Sequence, residues 1–478
     1  MEPWYRRRLW ALALMAALAL GIVLISVAVL RYRLPFSWDV WYHIRMGESF
    51  THGYVWWDWG SFGPTGRPNL YPPAFHLLLA GLSAVSSSSV QSVARALPLV
   101  FYPVTLALVF WLCALLYDRR TALLSVVFCS LIPVFVDRGV IPSSQALASI
   151  FMLLALIFFA KSESDRRYAV ASGAFGAGVV LGHGLTLIVL ACVILVMAAA
   201  EAWESRETPA ALRLVFVRLG IFAGVAALLP SYWLYYLFDH GVYSRIPESA
   251  AMALRDYPSK LGELQLGLAC AGVAIVLARR TRADRVLVGW FAATFLLSTA
   301  AFWVLPSRFV EFMAIPCAML AAVAVNRMLL SEHRLVSLGL IGIVLVALAG
   351  PYAYVNSISP LVYEHEEAAL LWLRDDAVVS GQVITGWFFA PVTGAISGKV
   401  PIKGSYYSGS FHYTERTNDT NSFYRGDLSI AEKYDISYVF YGRKESYDYG
   451  QLSFLDASDS ASVMYSGAST QFYHLTEG

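Results

Sequence analysis

The chain has 478 residues, of which 58% are hydrophobic and only 14% charged, with a formal net charge of +2 and a mean hydropathy of +0.58. An ordinary soluble domain carries about 25% charged residues, so that class is excluded. A charge this close to zero also excludes a bulk electrostatic partner such as nucleic acid.

The missing charge is concentrated in the first three quarters of the chain. There it gives way to apolar runs of roughly 17 to 25 residues, each long enough to cross a hydrocarbon layer about 30 Å thick. The start, MEPWYRRRLW, has the basic character of a signal peptide. The apolar run behind it is long, however, and no small-x-small site precedes Arg31, so it reads as a retained first span. In chain order the expected spans are 9–30, 97–117, 121–136, 142–160, 168–182, 185–201, 212–230, 262–279, 286–304, 308–326 and 335–354, about eleven in all. Basic loops at Arg6 to Arg8, Arg119-Arg120, Lys161 to Arg167, Arg279 to Arg285 and Asn326 to Arg334 fall on one side of this scheme. The positive-inside rule makes that side cytoplasmic, with Arg31 and Arg33 as mild exceptions. The N-terminus is then cytoplasmic and the tail lies outside. All five cysteines sit within apolar runs, which argues against a disulfide framework or a cysteine-based zinc site.

Between the first two spans lies an outer loop. Its stretch Tyr71 to Leu79 is too short to cross and reads as a helix at the outer interface, broken by Ser86 to Ser89. After 356 the character changes. Glu364 to Leu373 has the pattern of an amphipathic helix, QVIT, ISYVFY and VMYS read as strands, and SIAEKY reads as a short helix. The expected fold is therefore a polytopic α-helical membrane protein with a C-terminal extracytoplasmic α/β domain. Its division is 1–355 for the membrane domain, including the first outer loop 31–96, and 356–478 for the tail.

Charges at membrane depth are costly unless they are paired or functional. On the expected outer side they gather in four places: Asp39 with His43 and Arg45; Asp137 with Arg138; Arg245 with Glu248; and Arg308 with Glu311. Each also has a plain structural reading. Asp39 can pair with Arg45, Asp137 with Arg138, and Arg308 can snorkel to headgroups. Glu248 can cap an interfacial helix 248–255, and His183, in Gly182-His183-Gly184, reads first as a turn residue. His365, His412 and the sequon Asn418-Asp419-Thr420 read as surface. Tyr406, Tyr407 and Tyr413 read equally as surface strand residues or as holders of sugar or acceptor.

The stretch Trp38-Asp39-Val40-Trp41-Tyr42-His43-Ile44-Arg45 resembles the acidic motif in the first outer loop of oligosaccharyltransferase catalytic subunits of the AglB type. Tyr71-Pro72-Pro73 resembles the later part of that loop, and Arg308-Phe309 with Pro316 resembles the family's late Arg-Phe segment. The wider group is the GT-C class of membrane glycosyltransferases. The resemblance implies a GT-C-like fold and transfer of a sugar or oligosaccharide from a polyprenyl phosphate or pyrophosphate donor to an acceptor protein or glycan on the outer face. It implies Asp39 as the catalytic carboxylate and metal ligand, and Asp137 as a second ligand to a divalent cation, Mn2+ or Mg2+. It implies Arg308 and Arg138 on the donor phosphate, with Tyr42, His43 and Arg45 as substrate-binding residues; Glu248, in the outer loop after the seventh span, is read as a further substrate-binding residue over the site.

Two departures stand out. The family's second acidic pair corresponds here to Gln145 and Leu147, and its Trp-Trp-Asp-Tyr-Gly acceptor-reading motif is represented in the tail only by Trp387. A similar string, Trp56-Trp57-Asp58-Trp59-Gly60, lies in the first outer loop and reads as coincidence. These departures keep open single-sugar transfer to a glycolipid, polymer or protein hydroxyl. A lipid or polysaccharide transporter, or a membrane scaffold, is the non-enzymatic alternative. Transporters concentrate charges near the midplane, whereas here they sit at the rim. The membrane itself, and a cell membrane of prokaryotic type, are the expected surroundings.

Overall fold

The computed structural model describes residues 4–240, 251–299, 305–329, 349–375, 377, 381–404 and 412–476. Two compact units emerge: Met1–Arg33, Ala96–Trp233 and Pro247–Ile358 in one, Leu34–Arg95, Leu234–Ile246 and Ser359–Gly478 in the other. The expected boundary at 355/356 is thereby corrected, because the first outer loop folds with the tail. The cause lies in polar groups of the loop and the tail that satisfy one another. Gly63 N–H donates to Pro401 O at 3.1 Å, and the buried Arg416 guanidinium donates to Gly63 O at 2.6 Å. Unpaired in an interior, such groups would cost about 1–3 kcal/mol each.

The first unit is a helical membrane bundle. Among the described residues six helices are long and apolar enough to cross a bilayer, or up to eight if each of two bent pairs counts as one span. The expected span 121–136 is one such pair: helices Arg119–Cys129 and Pro133–Gly139, bent by 75°. Pro133 opens the second piece, where a ring without an N–H cannot continue the preceding turn. The freed carbonyl of Leu131 accepts from Gln265 Nε2 at 2.9 Å. Gln265 follows the other bend, 108° between Leu254–Leu261 and Glu263–Arg279, which turns at Gly262 with φ +83, a conformation that favours glycine. The expected span 168–182 is a helix of 14 residues, Arg167–Val180. The expected span 335–354 lies largely outside the described residues, and helix Ala349–Ser357 closes it.

Helix Phe309–Leu329 runs through the middle of the bundle, buried from Phe312 to Val325. A helix apolar on every side belongs in an interior, and close neighbours demand small residues. A Cβ on Gly272 would meet Leu320 O at 2.1 Å. At the ends rich in basic residues, ion pairs join the helices. Arg282 bonds Glu163 at 2.6 Å and Glu201 at 2.9 Å, Arg285 bonds Glu204 at 3.1 Å, and the buried Arg218 also bonds Glu201.

The second unit is α/β. Strands β3 (Gln382–Ile384), β4 (Ile436–Tyr441), β5 (Ala461–Gly467) and β6 (Thr470–Leu475) form a sheet ordered β3-β4-β6-β5. Only β3 and β4 are parallel. Strands β1 (Trp57–Asp58) and β2 (Arg67–Pro68) make a small hairpin in the first outer loop. The expected helices at 364–373 and 429–434 are present as Glu364–Asp375 and Ser429–Tyr434. Helices Ala390–Ser397 and Tyr413–Tyr424 and strand β6 add to the expected elements. Tyr413 therefore starts a helix rather than sitting in a strand, while Tyr406 and Tyr407 lie outside the described residues.

Candidate active site

In the membrane unit three helices begin at one place. Gln145 lies in the first turn of Ser144–Lys161, His183 caps Gly184–Glu204, and Glu311 lies in the first turn of Phe309–Leu329. Helix N-termini carry partial positive charge and suit an anion. Arg138, near the end of helix Pro133–Gly139, and Arg308, in the turn Pro306–Arg308, add two guanidiniums.

A single carboxylate organises these groups. Glu311 Oε1 accepts from Arg138 Nη2 at 2.8 Å and from Arg308 Nη1 at 3.2 Å. Its Oε2 accepts from Gln145 Nε2 at 2.7 Å. Glu311 is 5% exposed, whereas the two arginines are 31% and 32% exposed. The anchor is thus buried and the cations keep an open side. Arg138 Nε is buried without a hydrogen-bond partner among the described residues, with Asp137 Oδ2 at 3.8 Å. Tyr354 OH donates to the other Asp137 oxygen. His183 accepts from Thr186 N–H through Nδ1. Burial and the charges of Arg308 and Arg138 push its pKa down to about 3, so it stands beside the guanidiniums as a neutral imidazole. A cavity of about 70 Å³ opens here, lined by Tyr102, Arg138, Gln145, Glu311 and Phe312, with room for several waters.

In the second unit, Asp39 is half-buried in the first turn of helix Trp38–Thr51, where the helix dipole favours a carboxylate. Ser37, just before that helix, has φ 104, a strained value for a residue other than glycine. Tyr42 and His43, expected to bind substrate, are both buried. His43 Nδ1 meets His76 Nε2 at 2.8 Å, in a nest of rings from Tyr42, Tyr71 and Phe75. Burial first, then His43, holds the His76 pKa well below its usual value. Arg45 instead borders open space. It pairs with Glu48 at 3.6 Å and donates to Gly398 O at 3.1 Å.

Glu248, with Arg245, lies outside the described residues. Of the helix expected at 248–255, positions 251–253 are irregular and a short 3-10 turn covers Leu254–Asp256.

Among the described residues no group of three or more His, Cys, Asp or Glu side chains stands together. Asp137 is engaged by Tyr354 and Arg138. Glu311 and Gln145 carried too little weight in the sequence. The one usable signal was a glutamate three residues after Arg308, one helical turn away.

No protein-family model matches the chain, and no curated protein does. Solved structures of membrane glycosyltransferases match its fold. Among them is the oligosaccharyltransferase of Archaeoglobus fulgidus, solved with a tethered acceptor peptide bearing an NVT sequon: TM-score 0.70, 16% identity, covering 100% of this chain and 75% of that one. The same archaeal protein has been solved with zinc and sulfate. The arabinofuranosyltransferase AftD from Mycobacteria matches with TM-score 0.68 and 15% identity over 97% of this chain and 40% of its own. ArnT from Cupriavidus metallidurans, solved bound to undecaprenyl phosphate, matches with TM-score 0.62 and 12% identity over 97% of each chain.

Proposed function

We propose that this chain is a membrane glycosyltransferase that moves a sugar or oligosaccharide from a polyprenyl phosphate or pyrophosphate donor to an acceptor on the outer face. The observation that carries this reading is the pair of guanidiniums, Arg138 and Arg308, held on one buried carboxylate beside a cavity where three helices begin. As the bond to the anomeric carbon breaks, negative charge grows on the phosphate. Guanidiniums meet that charge with directed hydrogen bonds. The unpartnered Arg138 Nε is one donor available for it. Neutral His183 is a second polar group at the same place. The donor's lipid tail remains in the bilayer.

Asp39 is assigned the acceptor side. A carboxylate there orients the attacking group and takes its proton. The phosphate charge is assigned to the arginines that Glu311 holds.

Transfer of a single sugar is the second reading. It is favoured by Asp58, the carboxylate of the Trp56 to Gly60 string. Asp58 is fully buried and bonded to Arg67 at 3.3 Å, so it is not offered to a peptide.

The test is Asp39→Asn in proteoliposomes supplied with polyprenyl-phosphate-linked and pyrophosphate-linked sugars. A loss of roughly 100-fold or more in transfer is expected. Transfer at the wild-type rate would remove Asp39 from the mechanism, and flux of the lipid-linked sugar without transfer would favour a transporter.

A further inference from the structure

The second unit carries a group of large aromatic side chains that the proposed chemistry does not use. Within the six residues from Tyr54 to Trp59, three rings are open to the outside: Tyr54 is 53% exposed, Trp56 45% and Trp59 52%. Trp57 lies between them, 5.8 Å from Trp59 ring to ring. Exposing that much aromatic surface runs against the hydrophobic effect unless something covers it.

These rings are held in place. Asp58, between the tryptophans, is fully buried. It accepts from Arg67 Nε at 3.3 Å and from Gly60 N–H at 3.2 Å. Arg67 in turn donates to Tyr42 OH at 3.3 Å and lies 4.3 Å over the Phe62 ring. Asn69 ties down both flanks: its side chain donates to Val55 O at 2.9 Å, and its N–H to Trp56 O at 2.9 Å. Trp57 Nε1 donates to Thr65 O at 3.3 Å. The Tyr236 ring lies tilted by 52° against Trp56, 4.7 Å away. A surface ordered in advance loses little entropy on binding.

Beside the rings lies a polar cavity of about 460 Å³, lined by Arg45, Glu48, His52, Tyr54, Trp59 and Gly60. Its volume falls in the range of about 300–1,000 Å³ common for small-molecule sites. Arg45 is paired with Glu48 at 3.6 Å, so the cavity offers both donors and acceptors with little net charge. That does not suit a phosphate or an anionic headgroup, which needs surplus positive charge. It suits a ligand with many neutral hydroxyls and apolar C–H faces that lie flat on aromatic rings.

We propose that Tyr54, Trp56 and Trp59 with the Arg45–Glu48–His52 cavity form a binding site for a neutral carbohydrate chain, and that this chain is the acceptor. The second clause rests on the glycosyltransferase reading above; the first does not. The rings take successive sugar faces, and the paired charges hold vicinal hydroxyls.

The experiment uses the full chain in detergent and in nanodiscs, titrated calorimetrically with maltohexaose, cellohexaose, mannohexaose and arabinohexaose. Saturable binding of at least one is expected. Trp59→Ala raises its Kd about tenfold, as for an aromatic anchor in an interface, and Trp59→Phe restores most of the affinity. Trp59 is exposed, so an unchanged melting temperature certifies the fold of each variant. Asp39→Asn binds the sugar as wild type does while losing transfer. If none of the four sugars binds, or if Trp59→Ala binds as well as wild type, the site is overturned even where transfer persists. Quenching of Trp59-dependent emission by brominated lipid, with no response to sugar, makes the rings a bilayer anchor and overturns it too. If Asp39→Asn keeps both binding and transfer, the assignment of Asp39 fails and the carbohydrate site stands.

Discussion

Gln145 donates to the carboxylate of Glu311 at 2.7 Å, across 166 positions of sequence. The amide lies on helix Ser144–Lys161 and the acid on helix Phe309–Leu329. Glu311 then holds Arg138 and Arg308 by one oxygen and Gln145 by the other.

This arrangement makes Glu311 a positioning residue. Glu311→Ala is expected to release both guanidiniums and raise the KM for the lipid donor by roughly tenfold or more, since hydrogen bonds to a charged group contribute about 1.5–3 kcal/mol. Glu311→Gln keeps the shape and loses less. Gln145→Ala falls between them. Donor titration at saturating acceptor measures this, and an unchanged KM in Glu311→Ala would show that the arginines hold their places without it.

The buried pair of Asp58 with Arg67 gives a second prediction. Both side chains are nearly inaccessible, at 0% and 4%. Asp58→Ala leaves a buried guanidinium without its carboxylate and is expected to cost about 3–5 kcal/mol. The loss shows as a lower melting temperature and faster proteolysis within 54–70. A variant as stable as wild type would mean that Arg67 finds enough support in Tyr42 and Phe62.

A pH effect follows from Glu445, which is fully buried with its carboxyl accepting from Gly386 N–H at 2.9 Å and Gly442 N–H at 3.2 Å. Burial raises its pKa from 4.5 to about 7. Between those values the folded chain keeps a proton that the unfolded chain has released. Stability therefore falls as pH rises from 4.5 to 7 and is level above, by roughly 3 kcal/mol over the window. Glu445→Gln should remove that slope in melting curves recorded across pH 4.5–8. The same slope in the variant would assign it to other groups.

Metal removal tests the assignment of the phosphate charge to arginine. Transfer is expected to continue at the same rate in EDTA, because Arg138 and Arg308, both held on Glu311, supply two positive charges for the phosphate. A rate that collapses in EDTA and returns with Mn2+ or Mg2+ would put a cation in the mechanism.

Much of the architecture was legible from composition and period. Apolar runs of bilayer length marked the helices, and the apolar, aromatic stretch ISYVFY marked β4. The bend at Pro133 was harder to read. A proline early in an apolar run is compatible with an unbroken span, and only the Gln265 side chain bonding Leu131 O shows that the backbone has opened. His43 read as a substrate-binding residue beside Asp39. That it is covered by His76 and Tyr71 is a fact of packing between the helices Trp38–Thr51 and Ala74–Ser86, and local sequence does not report it.

By itself the sequence determined that this chain lives in a bilayer, because hydrophobicity and run length are local sums that need no partner. It also determined which arginines and acids had to be explained there, because a charge in lipid carries its cost wherever the chain goes. Only the tertiary structure decided that Arg138, Gln145 and Arg308 share one carboxylate, and that the first outer loop folds with the tail. Hydrogen bonds between residues far apart in sequence depend on how helices and strands pack, and that is settled by the whole chain at once.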